Sequence, residues 1–395
     1  MKASKKLFGG EWGLVLYFSL FLIWGWYSFS RVDLNLTLFD NPLFLNFNKV
    51  MTDFGYFNRP LACLVFFVLV ISLFGGYILL YLKFKREKKG IKSYLVLLGG
   101  IILVLVLSYP ALSYDIYNYI FNAKMVLVYQ ADPHKQVALD FATDSWIRFM
   151  HNVHTPAPYF YGWTGISLLP SYLGFNKFVL TLLNFKLFEI PFFLAAVYYL
   201  AKIGRKMKVK NIEDKIWLFA FNPLILIEVF GNGHNDFVMM SLALIGFWFL
   251  VKDERRRFGN LFWSLFFLGL SITIKYVTVL LIPLYIVYFF RRKIDIGSIA
   301  AVILFLAILT RPSDQFHPWY IIWGLSFAVL ARKEFVFRIL LFFSFGLLLR
   351  YLPWIYSGGY SNKVLFVENL ITYLVPVGLY LGYKLWWEKK GLVKS

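Results

Sequence analysis

Apolar runs of membrane-spanning length alternate along this chain with short polar connections. The runs fall near residues 12–30, 60–82, 93–111, 177–202, 215–231, 235–251, 259–274, 276–290, 297–311, 318–331, 335–351 and 364–387. A helix needs about 20 apolar residues to cross the roughly 30 Å hydrocarbon core, and fewer where its ends are buried in protein. The pattern therefore predicts an all-α polytopic protein of about twelve transmembrane helices, the two after residue 259 being short. Basic residues concentrate in alternate connections: Lys83 to Lys92, Lys202 to Lys215, Lys252 to Arg257, Arg291 to Lys293, and Arg332 with Lys333. With the two ends of the chain these segments hold 27 of the 41 basic residues. Basic loops stay cytoplasmic, which predicts a multi-pass protein of the cell membrane with both termini inside. The start, Met1 to Gly10, is basic without a following cleavage site, and reads as the flank of a first anchor.

Composition sharpens this picture. Of 395 residues, 60% are hydrophobic, 21% aromatic and only 16% charged, which excludes ordinary soluble domains and disordered chains. The net charge of +20 follows from the threading, so no nucleic-acid partner is expected. The single Cys63 excludes a disulfide scaffold. No long linker, low-complexity tract or clear repeat interrupts residues 1–395, so the chain reads as one membrane domain.

Polar residues are costly in such a protein, and their placement locates function. All five histidines (His134, His151, His154, His234, His317) fall in outward connections or at outward helix ends. The longest connection, residues 110–177, faces outward as well, so the working surface is expected to be extracytoplasmic. Just after the third run comes Ser113-Tyr-Asp-Ile-Tyr-Asn-Tyr-Ile-Phe-Asn122. On a helix Asp115, Asn118 and Asn122 share one face, with Tyr114, Tyr117 and Tyr119 nearby. This predicts an amphipathic helix in the membrane interface, N-capped by Ser113, with Asp115 in its first turn. An ionised carboxylate held there suits a general base.

A second cluster is Gly231-Asn-Gly-His-Asn-Asp236. Its glycines permit a tight turn, while Asn232, His234, Asn235 and Asp236 supply the donors and acceptors that bind hydroxyls. A third is Thr310-Arg-Pro-Ser-Asp-Gln-Phe-His-Pro-Trp-Tyr320. There Arg311 and His317 suit a phosphate, and Trp319 and Tyr320 suit either a sugar face or the aromatic belt of a membrane interface. Lys275 lies between two short apolar segments, where a lysine needs a partner or a wet cavity. Asp33, Asp40 and Asp53 have no spacing that implies chemistry. His151 and His154 lack a third ligand, and no zinc spacing, P-loop, GxGxxG or GxSxG occurs, so neither metal nor cofactor is expected.

These segments resemble the integral-membrane glycosyltransferases of the GT-C superfold, and most closely the mannosyltransferases that use polyprenyl-phosphate sugars. The resemblance is carried by Ser-Tyr-Asp-Ile-Tyr-Asn-Tyr (113–119), by Asn222-Pro to Asn232-Gly-His-Asn-Asp236, by Ile274-Lys-Tyr276 and by Phe316-His-Pro-Trp-Tyr320. It runs over roughly residues 95–330. The chain departs from the family at Tyr161-Gly-Trp-Thr and at Asp132-Pro133-His134, and its acidic motif follows the third run. The resemblance implies a GT-C-like fold and transfer of a sugar, mannose by likeness, from a polyprenyl phosphate to a glycan or lipid acceptor, with inversion and with Asp115 as base. Membrane lipid surrounds the donor's tail. The rival reading is a secondary transporter or a lipid-linked glycan flippase, in which ionisable residues would gather at the midplane.

Overall fold

The computed structural model describes residues 11–31, 41–87, 91–253, 255, 257–312 and 315–389. The basic start, Asp33 and Asp40, Lys88 and Lys89, Arg256, and Ser313 with Asp314 lie outside the described residues. Among the described residues the chain is all-helical, without strands. The helices are α1 (Trp12–Ser28), α2 (Pro42–Thr52), α3 (Arg59–Glu87), α4 (Ile91–Leu107), α5 (Asp115–Tyr129), α6 (Tyr161–Tyr172), α7 (Phe178–Lys206), α8 (Ile212–Ala220) and α9 (Pro223–Leu226). They continue with α10 (Asp236–Val251), α11 (Phe258–Ile272), α12 (Leu281–Phe290), α13 (Ile296–Leu309), α14 (Ile321–Ala328), α15 (Glu334–Leu349), α16 (Leu352–Ser357) and α17 (Asn362–Lys389).

Every predicted apolar run is helical, and several of the runs are short or broken. Among the described residues four helical stretches are long and apolar enough to cross a membrane: Arg59–Glu87, Phe178–Lys206, Glu334–Ser357 and Asn362–Leu385. Five shorter apolar helices accompany them. A further candidate is broken: Pro223–Gly231 and Asp236–Val251 meet at an angle of 110°. Local chemistry explains the interruptions. Asn222 ends one segment and caps the next, its side chain accepting from the Leu224 amide at 2.9 Å with Pro223 in the first turn. His317-Pro318 likewise breaks the run before α14. Apolar side chains point outward along α3 (Leu64, Val68, Ile71, Ile78) and α17 (Phe366, Leu370, Leu374), as lipid-facing helices require.

Two helices that hydropathy overlooked, α2 and α6, are short and carry polar residues. Of the two, α6 packs along α5, and α5 is where the structure departs most from the sequence reading. Ile116 to Met125 are all buried, Asn118 and Asn122 included. The polar face of the helix is thus enclosed by protein and is not an exposed ridge. Tyr117 packs on Phe149 and Phe178, and Tyr119 on Tyr159 and Trp163, so the long connection of residues 110–177 folds back over α5 while α7 covers its other side. Ser113 is not the N-cap; that position is Tyr114, and the Ser113 hydroxyl accepts from the Asp115 amide at 3.2 Å.

At the 110° bend only one of the two glycines is needed for conformation. Gly233 has φ +71°, and a methyl there would lie 2.6 Å from Ile116 Cδ1. Gly231 continues a π-helical turn, Ile227–Gly231, where a methyl would meet only ordinary van der Waals contacts, Leu105 nearest at 3.7 Å. Gly233→Ala is expected to cost about 1–3 kcal/mol, from left-handed backbone strain and contact with α5. Its thermal unfolding in detergent should fall by several degrees, whereas Gly231→Ala should differ little from the parent protein.

Candidate active site

Asp115 stands at the start of α5 because α4 and its end are fastened there. Lys186, fully buried on α7, donates to the Leu105 carbonyl at 3.1 Å and the Ser108 carbonyl at 2.5 Å. It thus satisfies carbonyls that the end of α4 leaves open. Ser28 accepts from the Tyr109 amide at 2.9 Å, and the Leu112 amide donates to Asn232 at 3.3 Å. The segment entering α5 is therefore tied to α1, α7 and the bend.

Asp115 lines a cavity of about 930 Å³ together with Lys275, Arg311, Gln315, His317 and Tyr320. These residues come from α5, from the break between α11 and α12, and from the connection before α14. Tyr159, Phe160, Tyr276 and Leu280 give part of its wall an apolar character. Asn152 and Thr155 bring in the long connection before α6, which is joined to the break by the Phe160 amide donating to the Ile274 carbonyl at 3.4 Å.

The other predicted site residues stand behind this wall. His234, Asn235 and Asp236 are fully buried and Asn232 nearly so. The bend that carries them packs against α5. Asp236 has both oxygens engaged: Lys275 Nζ donates to Oδ2 at 2.6 Å and the Trp323 indole N–H to Oδ1 at 2.6 Å. The anion that Lys275 meets here is thus Asp236, while its ammonium also lies over the Tyr159 and Tyr320 rings at 5.5 and 5.6 Å. Arg311 is exposed; its guanidinium sits over Tyr320 at 4.9 Å and donates to the Tyr320 hydroxyl at 3.4 Å. Trp319 is stacked between His234, at 3.9 Å, and His317, at 4.4 Å. Tyr114 stacks on His151 at 3.7 Å, with Tyr56 Oη 3.4 Å from its own. Tyr114, Tyr117, Asn118 and Asn122 are packing neighbours of the site and do not line the cavity.

Two ionisable residues were not assigned from the sequence. Glu228, fully buried in the π-helical turn, accepts from the Asn232 amide group at 2.6 Å and the Tyr351 hydroxyl at 3.0 Å. Its position one turn before the Gly-Asn-Gly-His-Asn-Asp run was the available signal. Lys186 was visible only as a lysine inside an apolar run. Among the described residues no three His, Cys, Asp or Glu side chains are grouped to hold a metal ion.

In this helical membrane protein a carboxylate and cations from distant segments line one cavity. Residues 42–291 match the family model described as the MptA_B family, alpha-(1->6)-mannopyranosyltransferase, N-terminal domain. The match spans more than half of the chain, which therefore belongs to this family and is a glycosyltransferase of mannosyltransferase type. No curated protein and no solved structure matches it. The matched region includes Asp115, the bend and Lys275, and ends before Arg311.

Two tests follow from the geometry. Removing one member of a buried ion pair costs about 3–5 kcal/mol, because the other charge is stranded. Lys275→Met should therefore lower the unfolding temperature sharply, and adding Asp236→Asn should recover much of the loss in a double-mutant cycle. Desolvation pulls the His317 imidazole down from 6.5 to about 4, opposed by nearby Asp115. Between pH 6.5 and 4 the unfolded chain takes up a proton there that the folded chain does not, so stability falls as pH falls through that window. His317→Gln should flatten this part of a stability–pH curve.

Proposed function

We propose that this protein transfers mannose from a polyprenyl-phosphate donor to an acceptor hydroxyl, with inversion at the anomeric carbon and Asp115 as the general base. The reading is carried by one observation: Asp115, Lys275, Arg311 and His317, spread over some 200 residues of sequence, line a single cavity. Asp115 takes the acceptor proton as the acceptor oxygen bonds to the anomeric carbon. The bond from that carbon to the phosphate oxygen breaks with its electron pair, which stays on the phosphate. Charge growing on that oxygen is stabilised by cations in the cavity wall. Arg311 supplies the larger share, because Asp236 already neutralises much of Lys275. His317, kept neutral by its surroundings, offers a donor or acceptor to phosphate or sugar. With phosphate as the leaving group and cations in place, neither metal nor cofactor is required.

Inversion fixes the stereochemistry. A product with the α-(1→6) linkage in the family's description requires a donor whose sugar–phosphate bond is β, and an acceptor that presents a primary 6-hydroxyl. The acceptor is then a glycan or glycolipid ending in a hexose with a free 6-hydroxyl. We place the cavity at the extracytoplasmic face of the cell membrane, in keeping with the basic connections on the opposite side. A polyprenyl tail can remain in lipid there while its phosphate reaches headgroup depth.

Purified protein incubated with a panel of polyprenyl-phosphate sugars should yield a mannosylated product by mass spectrometry. Transport of the lipid-linked sugar in proteoliposomes without product would instead support the flippase reading. Asp115→Asn should lower turnover about a hundredfold or more while leaving donor binding intact. Arg311→Ala should weaken donor affinity about tenfold, the loss of one charge-assisted contact. Near-parental turnover in the first variant removes the base, and unchanged donor affinity in the second removes the phosphate contact.

A further inference from the structure

His234 has a carboxylate opposite each of its ring nitrogens. Nδ1 lies 3.7 Å from Asp115 Oδ2, and Nε2 lies 3.3 Å from Glu228 Oε2. Neither contact is aligned as a hydrogen bond, and His234 and Glu228 are both fully buried. A neutral imidazole carries one N–H and one lone pair. In either tautomer a lone pair would therefore oppose a carboxylate at low effective dielectric, where such repulsion is strong. An imidazolium removes the conflict, since both nitrogens then carry protons. Attraction between full charges also tolerates the poor alignment that would weaken a neutral hydrogen bond. The ring lies flat on the Trp319 indole, 3.9 Å away and tilted by 18°, a placement that favours a cation.

We infer that His234 is a positioning residue for Asp115, held as an imidazolium between Asp115 and the buried Glu228. The inference rests on the reading of Asp115 as the base. The imidazolium fixes Oδ2 of Asp115 and so sets how the carboxylate is presented to the cavity that it lines. Glu228 supplies the counter-charge from behind, and is itself held by Asn232 and Tyr351. Asn232 also accepts from the Leu112 amide, so one side chain joins the counter-ion to the backbone that leads into α5.

Other ionisable groups lie around this trio. His317 lies across Trp319 and stays neutral down to about pH 4. Asp236 is paired with Lys275, and Glu189 on α7 lies within the field of Asp236. His151 lies within the field of Asp115, and the buried phenols of Tyr119, Tyr159 and Tyr351 complete the surroundings. Among the described residues the ion-pair contacts of the His234 ring are those with Asp115 and Glu228.

The full-length protein, labelled with 15N-histidine in lipid nanodiscs, carries only five histidines. The His234 signals can be assigned as those lost in His234→Gln, or by elimination using Gln variants of the other four should that variant fail to fold. At pH 7 both ring nitrogens of His234 should show imidazolium shifts, and Glu228→Gln should convert the ring to a neutral tautomer. A neutral ring in the parent protein overturns the inference, as does an imidazolium unaffected by Glu228→Gln. In the transfer assay, Glu228→Gln and His234→Gln should each lower kcat about ten- to a hundredfold with donor KM changed less than twofold. If both turn over like the parent while Asp115→Asn is inactive, the positioning role falls and the base stands. Activity retained in Asp115→Asn overturns the base, whatever the state of the ring.

Discussion

The structure depends on burying several charges around one bend. Between Glu228 and Asp236 the chain turns through 110° and presents two carboxylates and an imidazole, all fully buried. Isolated, each ionised group would cost several kcal/mol at least. The fold meets that cost by bringing opposite charges and donors from distant segments: Lys275 and Trp323 to Asp236, Tyr351 and Asn232 to Glu228, and Asp115 to His234. The elements that must meet to balance the bend include those that line the cavity. Charge neutralisation and assembly of the site are one event.

This arrangement divides the polar residues into two tiers. Asp115, Arg311, His317 and the outer side of Lys275 border the cavity. Behind them Glu228, Asn232, His234 and Asp236 contact the front tier and one another. The residues behind set the direction and charge of those in front, which is how a site keeps its geometry beside a fluid bilayer. Lys186 does the same for the backbone, tying the end of α4 so that α5 begins where Asp115 is needed. Aromatic rings fill the space between, with Trp319 joining His234 to His317.

The sequence by itself determined that the chain is a helical membrane protein, where its apolar helices lie, and which three polar segments are set apart from them. Hydropathy and the cost of placing charge in lipid are local properties, legible residue by residue. It also set Lys275 and the segment around His317-Pro318 between apolar runs, since charge and backbone chemistry act within a few positions, but it read Asn222-Pro223 inside one unbroken run. Only the tertiary structure decided what those interruptions do. That Lys275 answers Asp236, that Glu228 is the inner neighbour of His234, and that Asp115 sits on an enclosed helix all depend on contacts between residues far apart in sequence. The periodicity of α5 read as a helix with one wet face because Asp and Asn recur along it. Enclosure by α7 and the long connection of residues 110–177 reverses that reading, since packing partners are not encoded in a helix's own pattern. Burial and pairing are relations between segments, and the physical consequence of each charge is fixed only once its neighbours arrive.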